Sequence, residues 1–322
     1  MDRAAERDAV RRVCVVVNPR AGFVPWKEPI VKTIRRFLSR NGFEWELRII
    51  QGRGHGRELA AEAAAAGFDV VLAVGGDGTV NACASGLVNT STCLAVVPTG
   101  SGNGMARGLG VPLTVRRALE VLCDGQIHRI DAGKVNDTYF FVTAGIGLDA
   151  EIGHEFVHRD LRGLLPYFAI GVKLFLRYEP QEVQLSFPDR EITRKVLVVA
   201  AANMPQYGGS ALIAPKARPD DGALDVCVVR EVKLLPALYY LPRLFLGTID
   251  TVPYVEIIRT TELVIHRPKP GPYHCDGEPF EGGTELRIRI IPSCLSVLAP
   301  RNSPLGRRAA GAGPVESSGE AQ

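Results

Sequence analysis

An acid set among glycines is the feature of this chain best suited to chemistry: Gly75-Gly76-Asp77-Gly78-Thr79 directly follows the apolar run from Val70 to Val74. The glycines let backbone N–H groups approach anionic oxygens with no Cβ in the way, and a helix following Thr79 aims its positive end at the same place. The combination reads as a phosphate site. An aspartate among such donors suits a metal ion, a proton transfer or a substrate hydroxyl. Its plainer alternative is a helix N-cap, a role that needs neither Gly75 nor Gly76. A second loop, Pro98-Thr99-Gly100-Ser101-Gly102-Asn103-Gly104, repeats the build and offers Ser101 and Asn103 as side-chain partners. Its plainer alternative is a flexible linker.

The elements that must position these loops alternate between strand and helix from Arg12 to about Gly125. Val13–Val17 is a continuous apolar run that ends in Asn18-Pro19-Arg20-Ala21-Gly22, as a strand buried on both faces would. Helices are predicted over Glu28–Arg40, Gly56–Ala66, Val80–Leu87 and Leu113–Leu122, with further strands over Glu44–Ile50, Val70–Val74 and Leu94–Val97. Four buried strands separated by helices imply a parallel sheet covered on both sides, with ligands beyond the carboxyl ends of its strands. The three loops after Val17, Val74 and Val97 therefore converge on one edge.

After about His128 the pattern changes to short strands and tight turns. Hairpins are predicted over 129–143 and 183–202, followed by strands at Leu224–Val229, Tyr254–Ile258, Thr261–His266 and Glu285–Ile291, the profile of an antiparallel sandwich. Apolar helical segments are expected at Leu161–Leu176 and Leu234–Leu246. The fold class is thus α/β in two domains: a parallel α/β domain over 1–128 that carries the glycine loops and a β-rich domain over 129–300, with a disordered tail over 301–322. The active site is expected in the cleft between the halves.

Bulk properties narrow the function. The chain has 322 residues, 46% hydrophobic and 23% charged, and a formal net charge of +3, too small to announce nucleic acid. Seven scattered cysteines without a C-x-x-C pair suit thiols in a reducing compartment. His154 and His158 share a helical spacing but have no nearby third ligand for zinc. Residues 1–12 lack the apolar core of a signal peptide, and no run approaches the roughly 18 apolar residues of a membrane span. A cytoplasmic protein is expected.

With GGDGT and PTGSGN in this order, the chain resembles the diacylglycerol kinase and sphingosine kinase superfamily of lipid kinases. The resemblance extends from Asn18-Pro19 through Gly145-Ile146-Gly147-Leu148-Asp149 and Ala214–Leu224 to Asp276-Gly277-Glu278-Pro279. It implies that the first domain binds a nucleotide and the second a lipid substrate. It implies that Asn18, Gly75, Gly76, Asp77, Gly78, Thr79 and Asn81 contact the phosphates of ATP and that Ser101 lies near the nucleotide. It implies catalytic roles for Asp77 and for Glu278, the family's proton acceptor, and a magnesium ion (Mg2+) at Asp221. Either acid could be the base. Both have plainer alternatives, a cap for Asp77 and a turn carboxylate for Glu278. Asp149 reads as a helix cap, outside the catalytic set. Ile50 and Gln51 stand where many relatives carry a nucleotide-contacting threonine, and SGNG replaces the GTAND of many diacylglycerol kinases. The acceptor implied is a lipid such as diacylglycerol, a sphingoid base or ceramide. The chain would meet it at a membrane surface by peripheral contact through the segments near 164–176 and 234–246. A homodimer is compatible with this. An NAD kinase would need an acid within Asn89-Thr90-Ser91-Thr92, and a non-catalytic nucleotide- or lipid-binding protein would not need both Asp77 and Glu278.

Overall fold

The computed structural model describes residues 10–19, 28–152 and 173–305. The first half builds β1 (Arg12–Val17), α1 (Glu28–Arg40), β2 (Glu44–Ile49), α2 (His55–Ala65), β3 (Val70–Gly75), α3 (Asp77–Leu87), β4 (Cys93–Pro98), α4 (Gly104–Gly108) and α5 (Val115–Asp124). Its four strands pair in parallel in the order β2-β1-β3-β4. β3 and β4 are buried along their whole length because helices cover both faces. β2 departs from the expectation of a fourth buried strand. It is the sheet edge, and its residues alternate between exposed and half-buried.

α1 buries Ile34 and Leu38 and carries Glu28 in its first turn and Arg40 in its last, the charge order that complements the helix dipole. α3 begins at Asp77, three residues earlier than the apolar pattern predicts. Gly76 precedes it in an extended conformation, so Asp77 is the first helical residue and not the cap.

The second half is antiparallel: β5 (Gln126–Val135), β6 (Thr138–Phe140), β7 (Thr143–Gly147), β8 (Gln181–Ser186), β9 (Glu191–Ala202), β10 (Leu224–Arg230), α6 (Leu234–Leu246), β11 (Val255–Thr260), β12 (Glu262–His266), β13 (Gly271–Cys275), β14 (Glu278–Gly282) and β15 (Glu285–Ala299). β9 is the hub, pairing with β7, β8 and β10. Pro and Gly content hides β13 and β14 from the strand pattern. β15 runs past Ile291, where the sequence suggests a stop, because Pro292-Ser293 is absorbed in an irregularity between Ile291 and Leu295. Ser293 there has φ 47°, and its N–H donates to the buried Asp131 at 2.7 Å, beside the Gly222 N–H at 2.8 Å.

β15 joins the halves. It pairs with β12 and β5, and at Val297 it lies parallel to Leu94 of β4. Cys294, Leu295, Val297, Leu298 and Ala299 belong to the core of the first half, whereas Leu286 and Ile288 belong to the core of the second. A third apolar cluster, including Leu148, Leu197, Ile213 and Cys227, lies beside the second core. The helix expected at 161–176 lies mostly outside the described residues, as do His154, His158, residues 20–22 of the first loop and the tail from 306.

Candidate active site

The two glycine loops close on each other backbone to backbone. A Cβ on Gly76 would lie 3.2 Å from Gly100 Cα, and one on Gly100 would lie 2.6 Å from Gly76 Cα. The Thr99 N–H donates to Gly75 O at 2.8 Å, and the Asn18 N–H donates to Val74 O at 3.1 Å, so all three strand-end loops meet at one edge as predicted.

Asp77 is the clasp between the loops. Its Oδ2 accepts the Asn103 N–H at 2.8 Å and its Oδ1 accepts the Gly104 N–H at 2.6 Å. Those are the first donors of α4, which a helix cannot satisfy itself. Asn103 enters α4 with φ 54°, and its amide grips Gly100, with Oδ1 3.0 Å from Gly100 N and Nδ2 2.8 Å from Gly100 O. Burial pushes the Asp77 carboxyl above its ordinary pKa, against the Gly104 and Asn103 hydrogen bonds and the Arg107 guanidinium, which pull it down. Gly102 must lack a side chain because a Cβ there would lie 2.6 Å from Asp77 Oδ2.

The other members of the first-half set divide by direction. Thr79 is buried, and its Oγ1 accepts from Asn18 Nδ2 at 3.0 Å, so this pair braces the loop from beneath. Gly75 leaves room for it, since a Cβ there would collide with the Thr79 side chain. Ser101 is exposed at the tip of its loop. Asn81 turns to the second half, its Nδ2 2.7 Å from Asp276 Oδ2 and 3.1 Å from Tyr139 O.

Asp276 is the anchor that sequence reasoning missed. Beyond Asn81, it accepts the N–H groups of Phe141 at 2.9 Å, Val142 at 2.8 Å and Thr143 at 3.0 Å. Burial outweighs these bonds and raises its pKa. Asp276 (φ 50°) and Gly277 (φ 83°) form the tight turn between β13 and β14, a conformation suited to Asp-Gly. That turn aims Glu278, exposed at the start of β14, across the halves: a Cβ on Gly78 would collide with Glu278 Oε1. The hairpin is held by Arg267, whose guanidinium donates to the carbonyls of Gly271, Pro272, Gly282 and Gly283.

A second missed constellation lies next door. His274 Nε2 is 2.8 Å from Asp149 Oδ2, which also accepts the Tyr207 hydroxyl. Asp149 lies inside the helical segment that begins at Leu148 and is not its cap, and its carboxylate joins these two side chains. Its Oδ1 and His274 Nδ1 are buried without a hydrogen-bond partner among the described residues. Tyr207 belongs to the segment whose Gly209 N would lie 3.8 Å from a Cβ on Gly102. The cluster thus ties β13 to a segment that abuts the glycine loops. No spacing in the sequence marks it.

The donors at Asp221 do not fit a resident divalent cation. Its Oδ2 is 2.8 Å from Arg259 Nη2, and its Oδ1 accepts the Ala223 N–H at 3.2 Å. Among the described residues, no group of three or more His, Cys, Asp and Glu side chains could hold a metal ion.

Known proteins of the same build share this chain's length. The diacylglycerol kinase catalytic domain family matches residues 12–135, and the YegS C-terminal NAD kinase beta sandwich-like domain matches residues 142–299. A protein of Chromohalobacter salexigens named probable lipid kinase YegS-like is 30% identical over 298 residues, 90% of this chain and 94% of that one. A Yersinia pestis protein of the same name is 28% identical over 304 residues, 90% of this chain and 98% of that one. A crystal structure of a diacylglycerol kinase from Bacillus anthracis superposes with a TM-score of 0.69 at 19% identity, over 90% of this chain and 97% of that one. A second structure from that organism reaches a TM-score of 0.75 at 21% identity, with the same coverage. Those two establish the fold, and the sequence matches establish the family: the chain belongs to the YegS-like lipid kinases of the diacylglycerol kinase superfamily.

Proposed function

We propose that this chain transfers the terminal phosphoryl group of Mg-ATP to the hydroxyl of a membrane lipid, such as diacylglycerol, a sphingoid base or ceramide, held between its two halves. The observation that carries this is Glu278 lying over Gly78. A carboxylate from the second half stands at the positive end of α3, where the phosphates of a nucleotide would be gripped. Mg2+ enters as part of the nucleotide substrate and neutralises phosphate charge.

The chain's own groups then have distinct tasks. The glycine loops and the first turn of α3 hold and orient the phosphates. Asp77, with both oxygens engaged, keeps the loops in register. Glu278 takes the proton of the acceptor hydroxyl as its oxygen bonds to the terminal phosphorus. The bond from that phosphorus to the bridging oxygen breaks, and the electron pair leaves with ADP. A general base of this kind contributes roughly 100- to 10,000-fold.

The test is phosphate transfer from labelled ATP to a lipid panel, to NAD and to no acceptor, with wild type and Glu278→Gln. Lipid phosphorylation that falls at least about a hundredfold in the variant, with ATP binding intact, supports the proposal. Labelling of NAD alone, or a variant as fast as wild type, overturns it.

A further inference from the structure

We propose that α6 docks this kinase on an anionic bilayer by inserting its outward apolar stripe, an inference that rests on the lipid-kinase reading above. α6 (LLPALYYLPRLFL) has no buried residue. Leu235, Leu238, Tyr239, Pro242, Phe245 and Leu246 form an exposed i, i+3, i+4, i+7 stripe, with Pro236 and Leu241 exposed beside it, so the water-facing side is the apolar one. Leu235 is 79% exposed, Tyr239 76% and Leu246 73%. Its 13 residues are too few to cross the bilayer core, and among the described residues no helix is long and apolar enough to span a membrane.

Charge selects the occupant. From Lys233 to Thr248 the chain carries Lys233 and Arg243 and no acid. The nearest acids on either side are engaged, Glu231 with Lys195 at 3.0 Å and Asp250 with Lys216 at 2.8 Å. The flanks of the stripe are thus positive, as anionic headgroups require. Tyr240 packs edge-on against both Tyr239 and Tyr254, at ring distances of 4.9 Å and 5.7 Å, which suits side chains with an apolar body and a polar tip at headgroup level.

The helix is wired to the site. The Leu212 N–H donates to Leu244 O at 2.8 Å, and Leu212 bridges Gln206, next to Tyr207 with its bond to Asp149. The same segment carries Gly209, which abuts the loop clasped by Asp77. Docking through α6 therefore sets the bilayer beside the segment that lies between the phosphate loops and the Asp149 cluster.

The experiment is flotation of the full chain with vesicles of phosphatidylcholine alone and of phosphatidylcholine mixed with phosphatidylglycerol. It compares wild type with the double variant Leu235→Ser, Phe245→Ser and with Lys233→Glu. Wild type should float with the anionic vesicles only. The double variant should lose about tenfold or more in partitioning with little change in melting temperature, since Leu235 is 79% and Phe245 55% exposed. Lys233→Glu should weaken binding in low salt. Both variants should phosphorylate a short-chain, water-dispersed diacylglycerol at the wild-type rate, while the double variant fails on the same lipid in vesicles and Lys233→Glu slows there in low salt. Equal flotation of wild type and double variant overturns the proposal. So does a wild-type dimer, by light scattering, that the double variant converts to monomer, because the stripe would then face a second copy. Anionic-vesicle binding lost in the double variant, together with no lipid phosphorylation by any form, sustains the docking and sinks the kinase reading alone.

Discussion

Glu278 rests against the Cα of Gly78, so a methyl group on that glycine and the Glu278 carboxylate cannot occupy their present positions together. Gly78 lies in the first turn of α3, with no positive φ that would demand glycine.

Gly78→Ala should therefore separate stability from activity. Alanine favours a helix over glycine by up to about 1 kcal/mol, and the exposed Glu278 can swing aside. We expect a melting temperature equal to or above wild type with kcat reduced about tenfold or more, the equivalent of about 1.4 kcal/mol in the barrier. Thermal melts and steady-state rates check this together. Wild-type kcat in Gly78→Ala would show that Glu278 does not work from this position.

Asp276 should be the more fragile of the two aspartates that serve the site. Its four donors come from Asn81, Phe141, Val142 and Thr143, two to each oxygen. Asp276→Asn turns an NH2 toward two N–H donors and leaves them unpaired, at a cost of about 3 kcal/mol. Asn81→Ala removes one donor and should cost only about 1 kcal/mol. Urea denaturation of the two variants distinguishes them, and equal losses would contradict the account of Asp276 as anchor.

How much of this was legible in the sequence follows from what each residue type announces. The runs Val13–Val17 and Val70–Val74 announce strands covered on both faces, and the two glycine loops announce where they end. The pattern of β2 does not announce an edge, because Trp45 and Leu47 are half-buried and Ile49 exposed at a border that only the sheet order reveals. The apolar pattern places the start of α3 late because glycine is a poor helix former, yet Gly78 stands in the first turn, where tertiary contacts override propensity. Asp77 is visible as an acid among glycines, whereas Glu278, in a common Asp-Gly turn, is visible only through the family resemblance. The partners that orient them reach across the chain, Asn103 to Asp77 over 26 residues and Asp276 to Thr143 over 133, and no local pattern carries that. The Tyr207–Asp149–His274 contact spans 125 residues between its aspartate and histidine.

Activity should fall in acid at a higher pH than an ordinary aspartate would dictate. Burial raises the pKa of Asp77, and protonation replaces one acceptor of the Asn103 and Gly104 N–H groups with a hydroxyl, which loosens the start of α4. The stability sign is opposite. A raised folded pKa means the folded state binds the proton more tightly, so this contribution is full below the unfolded Asp value and is lost as pH rises through the raised one. A pH–rate profile and melts across the same range test both. An acid limb at the ordinary Asp value, with Glu278 intact, would remove Asp77 from the explanation.

Thiol labelling should find one accessible cysteine of seven. Cys14, Cys83, Cys93, Cys227, Cys275 and Cys294 are buried, and only Cys123 is exposed. Burial pushes Cys14 and Cys294 up to about 11 and Cys83, Cys93 and Cys227 up to about 12. The reactive species is the thiolate, so these thiols resist reagents through both access and ionisation. Cys123 is itself raised, by partial burial and by Asp124 and Glu120 nearby, so its labelling should be slower than that of a free thiol and should accelerate as pH rises. Native protein treated with iodoacetamide and mapped by mass spectrometry should show modification at Cys123, abolished by Cys123→Ser, and all seven sites only after denaturation. Early modification of Cys294 would be the informative exception, because that residue lies where β15 passes from one core to the other, and its labelling would report that the two halves separate before either unfolds.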